Sequence, residues 1–239
     1  MGNVLFIDAV RLSQYALNEL LPFPEKEAAA FTRVTELMNS LPEVERCVLL
    51  TDRPADDFNG VWDDNSGTVV RRENWSGADI FRQIDAHRGE AENIFYLYGD
   101  EPLIDLELTE KMYASHRSYF ADYTFVDGYP EGVAPDILRG DTVPQLCQLA
   151  EKHALPPSRS LCFDTVEKDI NAFDLETEIS PVDRRMLRVV LAADTLRTTL
   201  QLSAIITAGG TDAASVGEVL DARQDLLRTR PAYLQVQVT

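Results

Sequence analysis

The chain has 239 residues, enough for one large α/β domain or two small ones without staples. Its 40 acidic residues against 22 basic give a net charge of −18, which disfavours nucleic acid and anionic membranes, whose binding rests on Lys and Arg. Three cysteines, Cys47, Cys147 and Cys162, are odd in number and fit no C-x-x-C pattern, so a reduced, cytoplasmic protein without zinc site or disulfide frame is expected.

In chain order, residues 4–7 form an apolar run closed by Asp8, a first strand and neither a signal peptide nor a membrane span. Phe31, Val34, Leu37, Met38 and Leu41 recur at helical spacing, predicting a helix over 27–41. Residues 47–50 read as a second strand, 52–67 as an irregular connection rich in Pro, Gly and Asp, 68–70 as a short strand, and 77–87 as a helix. The run 94–98 is long enough for a buried strand and ends in Gly99-Asp100-Glu101-Pro102. Asp105 then caps a helix to about residue 120, with Leu108, Met112, Tyr113, Tyr119 and Phe120 inward. A strand over 122–126, a helix near 142–153 and a strand near 160–165 follow. Ser180-Pro181-Val182-Asp183 carries helix-start signals, and 187–191 reads as a strand. Asp194-Thr195 starts a helix that stops at Gly209-Gly210, and Ser215 with Glu218 caps another that runs to about 227. The alternation predicts an α/β fold: a mostly parallel sheet with helices on both faces. In such a sheet, ligands bind at the C-terminal tips of the strands, where Asp100 and Glu101 fall.

The string YLYGDEPLID resembles the GD-x-PLI signature of sugar-activating cytidylyltransferases, such as CMP-KDO synthetase and the polysaccharide-biosynthesis cytidylyltransferases. Asp79-Ile80-Phe81-Arg82 upstream, Ala121-Asp122-Tyr123-Thr124 downstream, and then Gly128-Tyr129-Pro130-Glu131-Gly132 match that family's order. The resemblance implies a nucleotide-diphospho-sugar transferase (GT-A-like) fold and a nucleotide or sugar ligand. It also implies Mg²⁺ at Asp100, a hard cation that suits carboxylates and bridges to phosphates. The second metal-binding Asp of the family falls on Ala192 without a gap, or on Asp194 with a two-residue slip; Asp194 is then a second ligand or only the cap of the next helix. Tyr129, Glu131 and Gly132 stand where the family contacts its acceptor sugar. Glu131 could accept bonds from sugar hydroxyls, or the loop is an ordinary turn.

One departure is large. Family members follow the first strand with a loop rich in Gly, Arg and Lys that holds the triphosphate. Here Asp8-Ala9-Val10-Arg11-Leu12-Ser13-Gln14-Tyr15 follows, and Arg11 and Lys26 are the only cations before residue 33, leaving them as the candidate nucleotide contacts. Two lone cations do not make a phosphate cradle. The loop is therefore expected to be degenerate, leaving either a Mg²⁺-dependent cytidylyltransferase or a non-catalytic module that binds a sugar, a nucleotide or a protein. His87, His116 and His153 are widely spaced and fit solvated or half-buried roles, no P-loop or G-x-S-x-G elbow is present, and Asp63-Asp64 read as surface charge. Residues 163–176 and 230–239 resemble parts of spiro-SPASM proteins, in which a cytidylyltransferase-like region precedes a radical SAM domain. On that resemblance residues 1–228 form the nucleotidyltransferase-like domain. Residues 229–239 then begin the link to a C-terminal radical SAM partner, and iron–sulfur chemistry lies outside this sequence.

Overall fold

A computed structural model describes residues 2–62 and 66–228. Asp63-Asp64 and the expected link at 229–239 lie outside the described residues. Within them the elements run β1 (Asn3–Ala9), α1 (Gln14–Asn18), β2 (Leu20–Leu21), β3 (Ala28–Ala29), α2 (Ala30–Leu37), β4 (Val44–Thr51), β5 (Thr68–Arg71), α3 (Gly77–Arg88) and β6 (Asn93–Tyr98). There follow α4 (Leu106–Tyr119), β7 (Tyr123–Asp127), β8 (Asp136–Arg139), α5 (Val143–Lys152), α6 (Leu161–Val166), β9 (Leu175–Ile179), α7 (Leu196–Thr207) and α8 (Ala213–Ala222).

Seven strands form one sheet in the order β5-β4-β1-β6-β8-β7-β9, parallel except for β8, and β2 pairs with β3 in a separate ribbon. The chain winds outward from β1 to β4 and β5, then returns to place β6 on the other side of β1. That reversal opens a crevice beyond the C-terminal ends of β1 and β6.

Period-two alternation sorts the strands onto two buried faces. Leu5, Ile7, Leu49, Phe95 and Leu97 pack with Phe31, Met112, Leu202 and Ile205 on one side. Val4, Phe6, Val48, Leu50, Ile94 and Tyr96 pack with Ile80, Phe81, Leu146 and Leu161 on the other. Such strands lie between two helical layers, which is why 94–98 reads as an unbroken apolar run. Asp105 caps α4 through the Leu108 amide, as expected, and also accepts the Ala213 amide at the start of α8.

Several expected elements are corrected. Residues 160–165 are not a strand: Leu161, Cys162, Thr165 and Val166 are buried at helical spacing, and Asp164 accepts both the Ser158 and Ser160 hydroxyls to close the first turn of α6. No strand forms over 187–191. A single helical turn at Arg185–Leu187 ends on Arg188 in a left-handed conformation, and the extended stretch beyond it makes only an isolated bridge between Val190 and Glu131. The signals at Ser180–Asp183 start no helix, because the Asp183 side chain accepts the Arg185 amide and folds a turn instead. Helix α2 begins at Ala30, since Ala28 and Ala29 pair with β2. Thr195, not Asp194, caps α7. Asp212 caps α8 with Ser215 as its partner, one turn earlier than the expected Ser215–Glu218 box, and the helix stops at Ala222. Tyr119 and Phe120 face solvent, 68% and 76% exposed, because Phe120 takes the left-handed position that ends α4.

Candidate functional site: a clasped carboxylate set between two cavities

Four carboxylates gather in the crevice. Asp8 is the penultimate residue of β1, so its side chain stands near the strand tip. Its Oδ1 accepts the Val10 amide at 2.8 Å and its Oδ2 accepts the Tyr96 hydroxyl. Burial pushes the Asp8 carboxyl up to about 6, against the pull of those two hydrogen bonds. The second tip belongs to β6. The Gly99 amide bonds the Asp8 carbonyl at 2.8 Å, and a Cβ on Gly99 would sit 3.1 Å from the Phe31 ring. Glycine thus lets the turn close over α2 and sets Asp100 and Glu101 inward, only 5% and 3% exposed.

Asp194 reaches the same place by a backbone zipper. The Leu191 amide bonds the Glu131 carbonyl at 2.8 Å, the Ala193 amide bonds the Asp100 carbonyl at 2.9 Å, and the Ser13 hydroxyl bonds the Ala193 carbonyl at 2.5 Å. Ala192, the ungapped alternative, is fully buried. Asp194 accepts the Thr198 hydroxyl and projects beside Asp100.

Between them lies Arg159, from the loop before α6. Its Nη1 donates to Glu101 Oε1 at 2.8 Å, its Nη2 donates to Asp100 Oδ2, and the same Nη2 is 4.0 Å from Asp194 Oδ2. The guanidinium also lies over the Tyr98 ring, 5.4 Å from its centroid, while the Tyr98 hydroxyl bonds the Ser158 carbonyl at 2.8 Å. Burial works against the charge on Arg159, but Glu101 and Asp100 outweigh it and keep the guanidinium protonated. Burial raises Glu101 well above the usual carboxylate range, with Arg159 opposing. Asp100 and Asp194 therefore do not form an open pair for a divalent ion; a side-chain cation holds Asp100 Oδ2 and faces Asp194. Among the described residues no group of three His, Cys, Asp or Glu is arranged to hold a metal.

Two cavities open on either side of Arg159. The smaller, about 220 Å³, is bounded by Asp8, Arg11, Tyr98, Asp100, Arg159 and Asp194. The larger, about 400 Å³, is walled by Tyr98, Phe125, Tyr129 and Phe163, with Glu101, Glu131 and Asp136 at its polar points. Asp136 accepts the Tyr123 hydroxyl at 2.8 Å, and burial raises its carboxyl to about 6. Gly132, at φ +94°, carries its loop against Glu101; a Cβ there would lie 3.2 Å from Glu101 Cγ.

The structure thus brings Asp100, Asp194 and Arg11 to the small cavity and Tyr129, Glu131 and Gly132 to the large one. It does not bring Lys26, which lines neither cavity and pairs with Glu36 at 2.6 Å on the surface. Sequence reasoning missed Arg159 and Asp136. It also passed over Asp8 as a site residue, although an acid closing an apolar strand was a usable signal.

No protein-family model matches this chain. Two uncharacterized proteins of Treponema pallidum (strain Nichols) match in part. One is 40% identical over 62 residues, 26% of this chain and 28% of that protein; the other is 39% identical over 82 residues, 34% and 21%. The matched stretches thus span less than a third of either relative. A cytidylyltransferase from Leptospira borgpetersenii serovar Hardjo-bovis superposes with a TM-score of 0.72 at 17% identity, over 97% of this chain and 98% of that one. CMP:2-keto-3-deoxy-manno-octonic acid synthetase complexed with CTP gives 0.55 at 16%, over 75% and 90%. Rv0371C from Mycobacterium tuberculosis in complex with manganese gives 0.62 at 13%, over 85% and 98%. The chain therefore has the α/β fold of cytidylyltransferase structures. No helix among the described residues is long and apolar enough to cross a membrane.

Proposed function

We propose that this domain is a ligand-binding module built on the nucleotidyltransferase fold, in which the grip on a triphosphate has been lost and the ring-binding cavity kept. One observation carries the reading: the loop after β1 and the first turn of α1 spend four of their amides internally. The Val10 amide goes to Asp8, the Arg11 amide to Asp52, the Leu12 amide to the Ala9 carbonyl and the Ala16 amide to the Ser13 hydroxyl. A phosphate cradle needs such amides turned outward together. The only cation this loop supplies to the small cavity is Arg11, and Arg53 is bound to Asp57 and the Leu12 carbonyl.

The large cavity has what a hydroxylated ring requires: aromatic faces at Tyr98, Phe125, Tyr129 and Phe163, and carboxylates at Glu131 and Asp136 to accept hydroxyl hydrogen bonds. Its ligand is a sugar by that chemistry. The resemblance of residues 163–176 and 230–239 to spiro-SPASM proteins supports a further step, presentation of that ligand to a radical SAM domain. Calorimetric titration of the chain with neutral monosaccharides tests the cavity. Heat that saturates and is lost in Tyr129→Ala is expected; no saturable binding by any hexose or hexosamine up to about 20 mM, where even a Kd near 1 mM would show as about −4 kcal/mol, removes the sugar assignment.

A second reading has its own support. Asp100 and Asp194 face the same guanidinium nitrogen, so the pair of acids that a Mg²⁺-dependent cytidylyltransferase would use is together in space. In that reading Mg²⁺ would be held by Asp100 and Asp194 once Arg159 had moved, and would supply charge neutralisation at the nucleotide phosphates.

A further inference from the structure

We infer that Arg159 is the resident cation of this carboxylate set: it stands in the place of a divalent metal ion, and the two exclude each other. The guanidinium takes one oxygen from Asp100 and one from Glu101, and its Nη2 faces Asp194 at 4.0 Å. A divalent ion bridging Asp100 and Asp194, with ligand distances near 2.1 Å for Mg²⁺, would lie against the guanidinium whose Nη2 holds Asp100 Oδ2 and faces Asp194. Two cations in such contact repel, so the site holds one or the other.

The arginine is held there by construction. Tyr98 stacks beneath it and bonds the Ser158 carbonyl, while Ser158 and Ser160 on either side both bond Asp164 in α6. The opposing acids are equally fixed, Asp100 through its carbonyl to the Ala193 amide and Asp194 through Thr198. The nearly buried Asp100 and Glu101 at the sheet edge are thus neutralised by the chain itself. Because Arg159 lines both cavities, displacing it would remodel both at once. Metal binding and the position of the 157–160 loop are therefore one equilibrium.

The test uses Mn²⁺ alone as the probe, titrated into the full chain and followed by the loss of the free-ion electron paramagnetic resonance signal. The wild type is expected to show no Asp100-dependent site. Arg159→Gln should bind Mn²⁺ at least about tenfold more tightly than wild type, since a unit charge has left the acids. Arg159→Gln combined with Asp100→Asn should lose that gain. Arg159→Lys, which keeps the charge, should stay at the wild-type level. Arg185→Gln controls for general electrostatics: it removes an equal charge from the wall of the large cavity, where Arg185 pairs with Asp183 and Asp127, and should change nothing. No gain in Arg159→Gln, or an equal gain in Arg185→Gln, overturns the inference. Should Arg159→Gln prove too unstable to purify, wild type against Asp100→Asn decides. An Asp100-dependent site with a Kd below about 1 mM in wild type overturns it, and equally weak binding by both supports it.

Discussion

The two sides of Arg159 share one sheet edge and differ in what their polar groups face. On the β1 side the loop turns inward: the Val10 and Arg11 amides, the Asp8 carboxylate and the Ser13 hydroxyl end on partners within the chain. On the β7–β8 side, aromatic rings and the Glu131 carboxylate border an open cavity of about 400 Å³. The same topological position therefore supports different chemistry on each side. Position in the fold tells where a ligand can sit; the unspent donors and acceptors tell which ligand.

The largest expected effect falls on the boundary between the two sides. Arg159→Ala leaves Asp100 and Glu101 facing each other nearly buried, and removing one partner of such a set costs about 3 kcal/mol or more. In a chain of this length that lowers Tm by about 6–12 °C, measurable by differential scanning calorimetry. A change below about 2 °C would mean that the clasp does not hold the two sides together.

The inward side should cost stability rather than supply it. The Asp8 carboxyl is raised from 3.8 to about 6 in the fold, so the folded state binds a proton more tightly than the unfolded chain. Its contribution is fully present below pH about 4 and is lost as pH rises through about 6. Asp8→Asn, which keeps an acceptor for the Val10 amide, should therefore stabilise the protein at pH 7.5 by up to roughly 3 kcal/mol and by nothing at pH 3.5. His116 runs the other way: burial lowers it to about 4, so its stabilisation is present above pH 6.5 and lost as pH falls through 4. Comparing Asp8→Asn with wild type at each pH cancels that contribution. Denaturant melts giving the same gain at both pH values would show that Asp8 is not buried as a raised acid.

On the outward side, Gly132→Ala forces a side chain into a left-handed backbone and against Glu101, at a cost of about 1–2 kcal/mol. Monosaccharide binding should weaken with it, because Gly132 and Glu101 both line the cavity. The smallest effect is expected for Lys26→Ala. Its exposed pair with Glu36 is worth less than about 0.5 kcal/mol, and it lies on neither side of the clasp.

Much of this edge was legible in the sequence. The apolar run before Gly99 read as a buried strand, and the acids after it fell at its C-terminal tip, the edge where ligands bind in open α/β sheets. Asp105 showed as a cap because a helical apolar pattern begins right behind it. Arg159 was not legible. It lies in a loop with no periodicity, 58 and 59 positions from the carboxylates it binds, and only the folded chain brings them together. Helix α6 was misread because adjacent buried pairs, Leu161-Cys162 and Thr165-Val166, resemble a buried strand until their spacing is set against a sheet face. Asp194 needed the zipper from Glu131 to Ala193, which no local pattern encodes.

The contrast between the two sides rests on the proposed loss of a triphosphate grip, and thermal melting in millimolar CTP with and without Mg²⁺ tests it most directly. A ligand at 100 times its Kd adds about 2.7 kcal/mol, which in a chain of this size would raise Tm by about 5–10 °C. A shift below about 1 °C is expected for wild type, with or without Mg²⁺. A Mg²⁺-dependent rise of about 5–10 °C that disappears in Asp100→Asn would contradict it, and would establish the β1 side as a working nucleotide site.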